Sequence, residues 1–103
     1  MLAAPGQSAE AVDQAARKVI ETAGFGEFFT HRTGHGLGLE CHEEPDIKTG
    51  NPMALEVGMT FTIEPGVYIP ELGGIRIEDD MVITSAGAES LSDYPRELQR
   101  IAL

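Results

Sequence analysis

The three histidines of the chain, His31, His35 and His42, fall within the twelve residues His31-Arg32-Thr33-Gly34-His35-Gly36-Leu37-Gly38-Leu39-Glu40-Cys41-His42. Imidazole changes charge near neutral pH, moves protons and binds transition metals. Two carboxylates follow in strand-like settings, Glu64 in Thr62-Ile63-Glu64-Pro65-Gly66 and Glu78 in Ile75-Arg76-Ile77-Glu78-Asp79. They flank a turn centred near Glu71 and Leu72, so an antiparallel hairpin would bring them together. Like charges facing each other across a strand pair are destabilising, and a bound cation or a shared proton removes the conflict. The competing reading is that a bulge at Pro65-Gly66 aims the two side chains apart as ordinary surface charges. Mixed imidazole and carboxylate donors suit Mn, Co, Fe or Zn better than Ca or Mg.

Gly34, Gly36 and Gly38 surround His35, leaving room for the backbone to approach an ion or a substrate. A single histidine is more often a hydrogen-bonded structural residue than a ligand; three in one glycine-rich segment point toward a site. The His31–His35 spacing matches that of helical zinc pairs, but the accompanying glutamate is missing and the glycines disfavour a helix. Cys41 beside His42 is a poor nucleophile–base pair, because neighbours on a strand point to opposite faces. The alternate glycines fit neither dinucleotide nor phosphate-loop spacing, which excludes nucleotide binding.

These groups need elements to position them. Ser8 can cap a helix that buries Val12, Ala15, Ala16, Val19, Ile20 and Ala23 and stops at Gly24. Asp13–Arg17 and Arg17–Glu21 then read as helix-supporting pairs on the wet side. Residues 28–42 read as strand pieces and a turn, and residues 43–58, rich in proline and charge, as an irregular surface loop. From Met59 the pattern alternates, with Phe61 and Ile63 on one face and Thr60, Thr62 and Glu64 on the other. Pro65-Gly66 bends this strand, Val67-Tyr68-Ile69 continues it, and residues 70–74 turn into a strand carrying Ile75, Ile77 and Met81. Residues 85–88 form a second turn, and Leu91 to Leu103 a short tail. One helix followed by antiparallel strands makes the fold class α+β.

The 103 residues are 42% hydrophobic and 23% charged, which predicts one domain over residues 1–103 and argues against disorder. A net charge of −10 makes nucleic acid and anionic membranes poor partners. The single cysteine rules out an internal disulfide, and no apolar run approaches the roughly 20 residues of a membrane span. Met1-Leu2-Ala3-Ala4-Pro5 lacks the basic and apolar regions of a signal peptide. The expected compartment is the cytoplasm.

The motifs carry a closer reading. The run from His31 to Pro45, then Thr62-Ile63-Glu64-Pro65-Gly66, then Gly74-Ile75-Arg76-Ile77-Glu78-Asp79 closely resembles the pita-bread metallopeptidases specific for proline, the Xaa-Pro dipeptidases (prolidases) and Xaa-Pro aminopeptidases. Three motifs in the same order, from Ser8 nearly to the end, carry the resemblance. It implies an α+β fold that is partly a pita-bread domain, its C-terminal half, with the helix packed on an antiparallel sheet. It implies that His35, Glu64 and Glu78 bind metal, with Glu64 also handling the proton of the attacking water and Glu78 bridging two ions. His31 and His42 match histidines that contact substrate and stabilise the tetrahedral intermediate. Arg76 matches an arginine beside the bridging glutamate, and Tyr68 falls where an active-site aromatic sits. The implied cofactors are two divalent ions, Mn, Co or Zn, and the implied reaction is hydrolysis of the peptide bond before proline in proline-containing peptides. Methionine aminopeptidases share Gly-His-Gly and His-Glu-Glu-Pro, but His31 and Arg76 favour the proline-specific branch.

The family's site also draws on two aspartates from strands upstream of the helix, and none of Asp13, Asp46, Asp79, Asp80 or Asp93 has that context. The expectation is a fragment with weak or no activity by itself, completed by a homo-oligomer or by a missing N-terminal half. Two further readings share the fold. A non-catalytic binding module has no need of three intact ligands, and a metal-free hydrolase of the creatinase type would lack the two glutamates.

Overall fold

Ser8 sets the start of helix α1, Ala9–Thr22, in the computed structural model, which describes residues 3–103. Met1 and Leu2, the first residues of the signal-peptide reading, lie outside the described residues. The Ser8 hydroxyl accepts the Ala11 N–H at 3.1 Å, satisfying one of the donors that every helix start leaves open. At the other end Gly24 has φ 90°, and its N–H and that of Phe25 return to the carbonyls of Glu21 and Ile20. This is the glycine stop the sequence predicts. No helix among the described residues is long and apolar enough to cross a membrane.

The buried face of α1 differs from the predicted stripe. Ala9 and Val12 are buried, but Val19 is 71% exposed and Ala23 is exposed, while Asp13 is fully buried. Cover reaches only the first turns of the helix. There the Ala9 and Glu10 N–H groups donate to the carbonyls of Met53 and Asn51, and Leu55 packs into the core. Asp13, four residues after Ala9 and one after Val12, therefore shares their inward side. The wet-side reading of the Asp13–Arg17 pair is thus corrected.

Seven strands follow: β1 Gly34–Gly36, β2 Glu43–Ile47, β3 Thr60–Ile63, β4 Gly66–Ile69, β5 Gly73–Arg76, β6 Asp79–Thr84 and β7 Gly87–Ser90. Five form an antiparallel sheet in the order β2-β1-β3-β6-β7, and β4 pairs with β5 as a separate hairpin. Two strands escaped the sequence reading. Residues 43–58 were expected to be irregular, yet β2 lies within them and buries Pro45 and Ile47. Its proline is tolerated because β2 is an edge strand. Gly87–Ser90 pairs back on β6, and its first two residues lie within the turn expected over residues 85–88, which hid it. Of the strand pieces expected in residues 28–42, one short strand, β1, is present, preceded by a 3₁₀ turn at Gly26–Phe28.

The core gathers Phe61, Met81, Ile83, Ile47 and Leu55 with Ala9 and Val12 of the helix. Thr62, on the opposite face of β3 from Phe61, is buried as well, so the centre of the sheet is covered on both sides. Close approach of β1 to its neighbours depends on its glycines. A side-chain carbon on Gly34 would collide with the backbone carbonyl of Thr62, and one on Gly36 with that of Glu44. Gly36→Ala must push strands apart, with an expected loss of about 1–3 kcal/mol, the usual range for overpacking. A urea midpoint unchanged from that of the parent chain would refute this account of why His35 is flanked by glycines.

Candidate active site

His35 occupies the middle of β1 and is 7% exposed. Its N–H donates to Thr62 Oγ1 at 3.1 Å, which fixes the backbone beneath the ring. Its Nδ1 lies 3.0 Å from the carbonyl oxygen of Gly36. A carbonyl only accepts, so Nδ1 carries a proton and Nε2 is the ring nitrogen turned outward. Nε2 faces Glu64 Oε2 at 3.5 Å in a half-buried setting.

Glu64 follows β3 directly, and Glu78 precedes β6 directly. The hairpin register pairs Gly66 with Arg76, and the Ile77 N–H reaches the Pro65 carbonyl at 3.4 Å. Continued by one step, this register sets Glu64 opposite Glu78. The bulge does not aim them apart. Glu78 is exposed as a residue, yet its carboxyl is held above its ordinary value, first by desolvation and then by the charge of Glu64 and a hydrogen bond with it. The charge of Asp80 adds to the rise and that of Arg76 opposes it. The His42 ring meets that of His35 edge to face, centroids 4.5 Å apart.

His31 and Tyr68 form a second group. The Tyr68 hydroxyl donates to His31 Nε2 at 2.8 Å, because His31 Nδ1 donates to the Arg32 carbonyl at 2.6 Å. Gly66 underlies this contact, and a side-chain carbon there would sit 2.5 Å from the Tyr68 hydroxyl oxygen and 3.1 Å from His31 Nε2. Tyr68→Phe should therefore cost about 0.5–1.5 kcal/mol, the net value of one hydrogen bond, and release the His31 ring. Thermal denaturation together with the ring signals of His31 in NMR measures both effects; an unmoved His31 would disprove the link.

His35, Glu64 and Glu78 thus form a row of electron-rich groups joined in pairs. They do not converge: among the described residues no three His, Cys, Asp or Glu side chains surround one point as a metal cage. The donors nonetheless fit a divalent ion in kind. A ring that donates through Nδ1 to a backbone carbonyl and offers Nε2 has the arrangement of metal-binding histidines. A cation would also relieve the repulsion between Glu64 and Glu78. Four further residues build this region without having been singled out as site residues: Asp13, Arg17, Thr33 and Thr62. A helical wheel carried part of the signal for Asp13, since at 100° per residue it stands about 40° from Ala9, at the margin of the apolar face.

Residues 1–85 match the profile of metallopeptidase family M24. The chain is 50% identical to an Xaa-Pro dipeptidase of Lactobacillus delbrueckii subsp. lactis over 97 residues, covering 94% of this chain and 26% of that protein. It is 50% identical to the putative dipeptidase YkvY of Bacillus subtilis over 94 residues, 91% of this chain and 26% of that protein. Among solved structures, the dipeptidase PepE of Mycobacterium ulcerans superposes with a TM-score of 0.91 at 53% identity, over 93% of this chain and 26% of that one. The prolidase of Pyrococcus furiosus superposes with a TM-score of 0.89 at 49% identity, over 91% of this chain and 28% of that one. The chain spans about a quarter of the length of the relatives it matches.

Proposed function

The chain belongs to metallopeptidase family M24, and from that premise we propose that it supplies His35, Glu64 and Glu78 to a metal-dependent hydrolysis of the peptide bond before proline. Its helix and antiparallel sheet are part of the pita-bread fold of the prolidases. The observation that carries the proposal is the row in which His35 Nε2 faces Glu64 Oε2 at 3.5 Å while the strand registers on either side set Glu64 opposite Glu78.

His35, through Nε2, and the two carboxylates would hold the ions, as Mn, Co or Zn. Bound there, a divalent ion lowers the pKa of a water molecule and polarises the scissile carbonyl. The chain's own groups do the remaining work. Glu64 accepts the proton of the attacking water. The scissile nitrogen is the proline ring nitrogen, which has no hydrogen of its own in the peptide and must be protonated to leave. Glu64 returns the proton to it as general acid. His42, against the His35 ring, donates a hydrogen bond to the oxygen that gains charge in the transition state, and His31, its two ring nitrogens engaged by Arg32 and Tyr68, positions the Tyr68 hydroxyl beside the substrate. Arg76, beside Glu78, steadies that carboxylate and offers a positive charge to the peptide's carboxyl end.

The test is calorimetric titration of the metal-stripped full chain with Mn, Co and Zn, followed by assay of the same sample on an Xaa-Pro dipeptide and its Xaa-Ala counterpart. The expected result is binding tighter than millimolar, about −4 kcal/mol, with turnover weak or absent and, where present, confined to the proline substrate. Absence of binding in that range would defeat the proposal.

A further inference from the structure

We infer that Asp13 and Arg17 of helix α1 form a clamp that sets the positions of His31 and Glu64, acting through the backbone of residues 29–33. The functional meaning of the clamp rests on the proposed roles of His31 and Glu64; its geometry does not.

Asp13 is fully buried, and both its oxygens are engaged. Oδ1 accepts from Arg17 Nη2 at 3.0 Å, from Thr33 Oγ1 at 2.8 Å and from the Thr33 N–H at 3.2 Å. Oδ2 accepts from Arg17 Nε at 3.1 Å and from Thr49 Oγ1 at 2.7 Å. A simple helix pair would stop at the two-point contact between Asp13 and Arg17. Here the guanidinium continues outward, donating to the Phe29 carbonyl at 3.2 Å and the His31 carbonyl at 2.9 Å. It also stacks 4.1 Å from the centre of the Phe29 ring, which in turn meets the His31 ring edge-on at 5.2 Å.

The two arms of the clamp end on the proposed working residues. Arg17 fixes the main chain of His31 while Tyr68 fixes the tip of its ring, so His31 is held at both ends. Asp13 fixes Thr33, whose carbonyl accepts the Glu64 N–H at 2.6 Å. One residue therefore separates the buried carboxylate from the backbone of Glu64. The segment from Phe29 to Thr33 has no helix or strand of its own to hold it. Burying an ion pair brings little net stability over an apolar pair of similar volume. What this pair adds is direction, because a planar fork fixes two carbonyls at set angles and a point charge cannot.

Arg17→Lys separates the two roles, since it keeps the charge next to Asp13 and removes the fork. Long-range proton–nitrogen NMR spectra of the histidine rings and amide exchange rates are compared with the unaltered full chain, without metal or substrate. The fold should persist by far-UV circular dichroism, the His31 ring and Glu64 amide signals should move, and the Thr33 and Glu64 amides should exchange at least about tenfold faster, as the loss of one or two hydrogen bonds implies. Signals of β6 and β7 should stay in place. Thr49→Val, which removes a single partner of Asp13, should shift the same signals less. Unmoved His31 and Glu64 signals in Arg17→Lys, or equal shifts throughout β6 and β7, would overturn the clamp in favour of a purely stabilising pair. These readouts need no turnover, so they decide the clamp independently of whether the chain cleaves a peptide.

Discussion

Glu64→Gln should weaken Mn binding by about a hundredfold or more and cut any turnover of an Xaa-Pro dipeptide by about 10²–10⁴-fold, while leaving the thermal midpoint unchanged or slightly raised. The two effects separate because the side chain and the main chain of Glu64 do different things. The main chain is tied to the Thr33 carbonyl at 2.6 Å, and the substitution leaves that bond intact. The side chain faces His35 Nε2 at 3.5 Å and the carboxyl of Glu78. A glutamine amide can donate to either neighbour, which removes the repulsion but also the anionic ligand and the proton acceptor. Calorimetry and thermal melts of the same preparation are the measurement. A variant that loses stability as well as binding would make Glu64 a structural residue, and one that binds Mn as tightly as the parent would remove it from the ligand set.

Asp13→Ala should have the largest effect on folding, about 3–5 kcal/mol, the range for removing one member of a buried ion pair. It strands two threonine hydroxyls and the Asp13-facing side of the Arg17 fork in one step, while the Thr33 N–H keeps its bond to the Ile47 carbonyl at 2.9 Å. The same carboxylate gives a pH signature. Burial pushes Asp13 upward, but hydrogen bonds from Arg17, Thr49 and Thr33 and the Arg17 charge outweigh it and hold the carboxyl below its ordinary 3.8. A depressed folded value means that the stabilisation is fully present above the unfolded value and fades as pH falls through the folded one. Urea unfolding of Asp13→Asn and the parent from pH 7 to pH 2 should therefore show a gap that is constant at neutral pH and narrows below about pH 4. A constant gap down to pH 2 would show that Asp13 gains nothing from being ionised.

How far the sequence could be read depends on the scale of the signal. The cap at Ser8, the stop at Gly24 and the hairpin around Glu71 are local, each set by one or two residues, and each stands in the structure. The juxtaposition of Glu64 and Glu78 follows from hairpin symmetry and was legible for the same reason. β2 was hidden because an edge strand tolerates the proline and charges that mark a loop. The exposure of Val19 was hidden because periodicity shows which side of a helix is apolar, and only the partner decides how much of that side is covered. Asp13 was misplaced because the i, i+4 spacing of a surface pair and of a buried one is the same. The pairing of His31 with Tyr68, 37 positions apart, joins two elements whose relative placement no local pattern contains.

The hairpin β4–β5 stands apart from the five-stranded sheet, with both glutamates at its root and the residues Pro70 to Leu72 at its tip, where Leu72 is 79% exposed. Adding or removing residue pairs at the tip changes how far the ribbon reaches without changing which residues face each other at the root. Reaction chemistry and reach can then diverge independently within one scaffold. For an engineer, the tip is the place to graft a new recognition loop while the paired carboxylates keep their register.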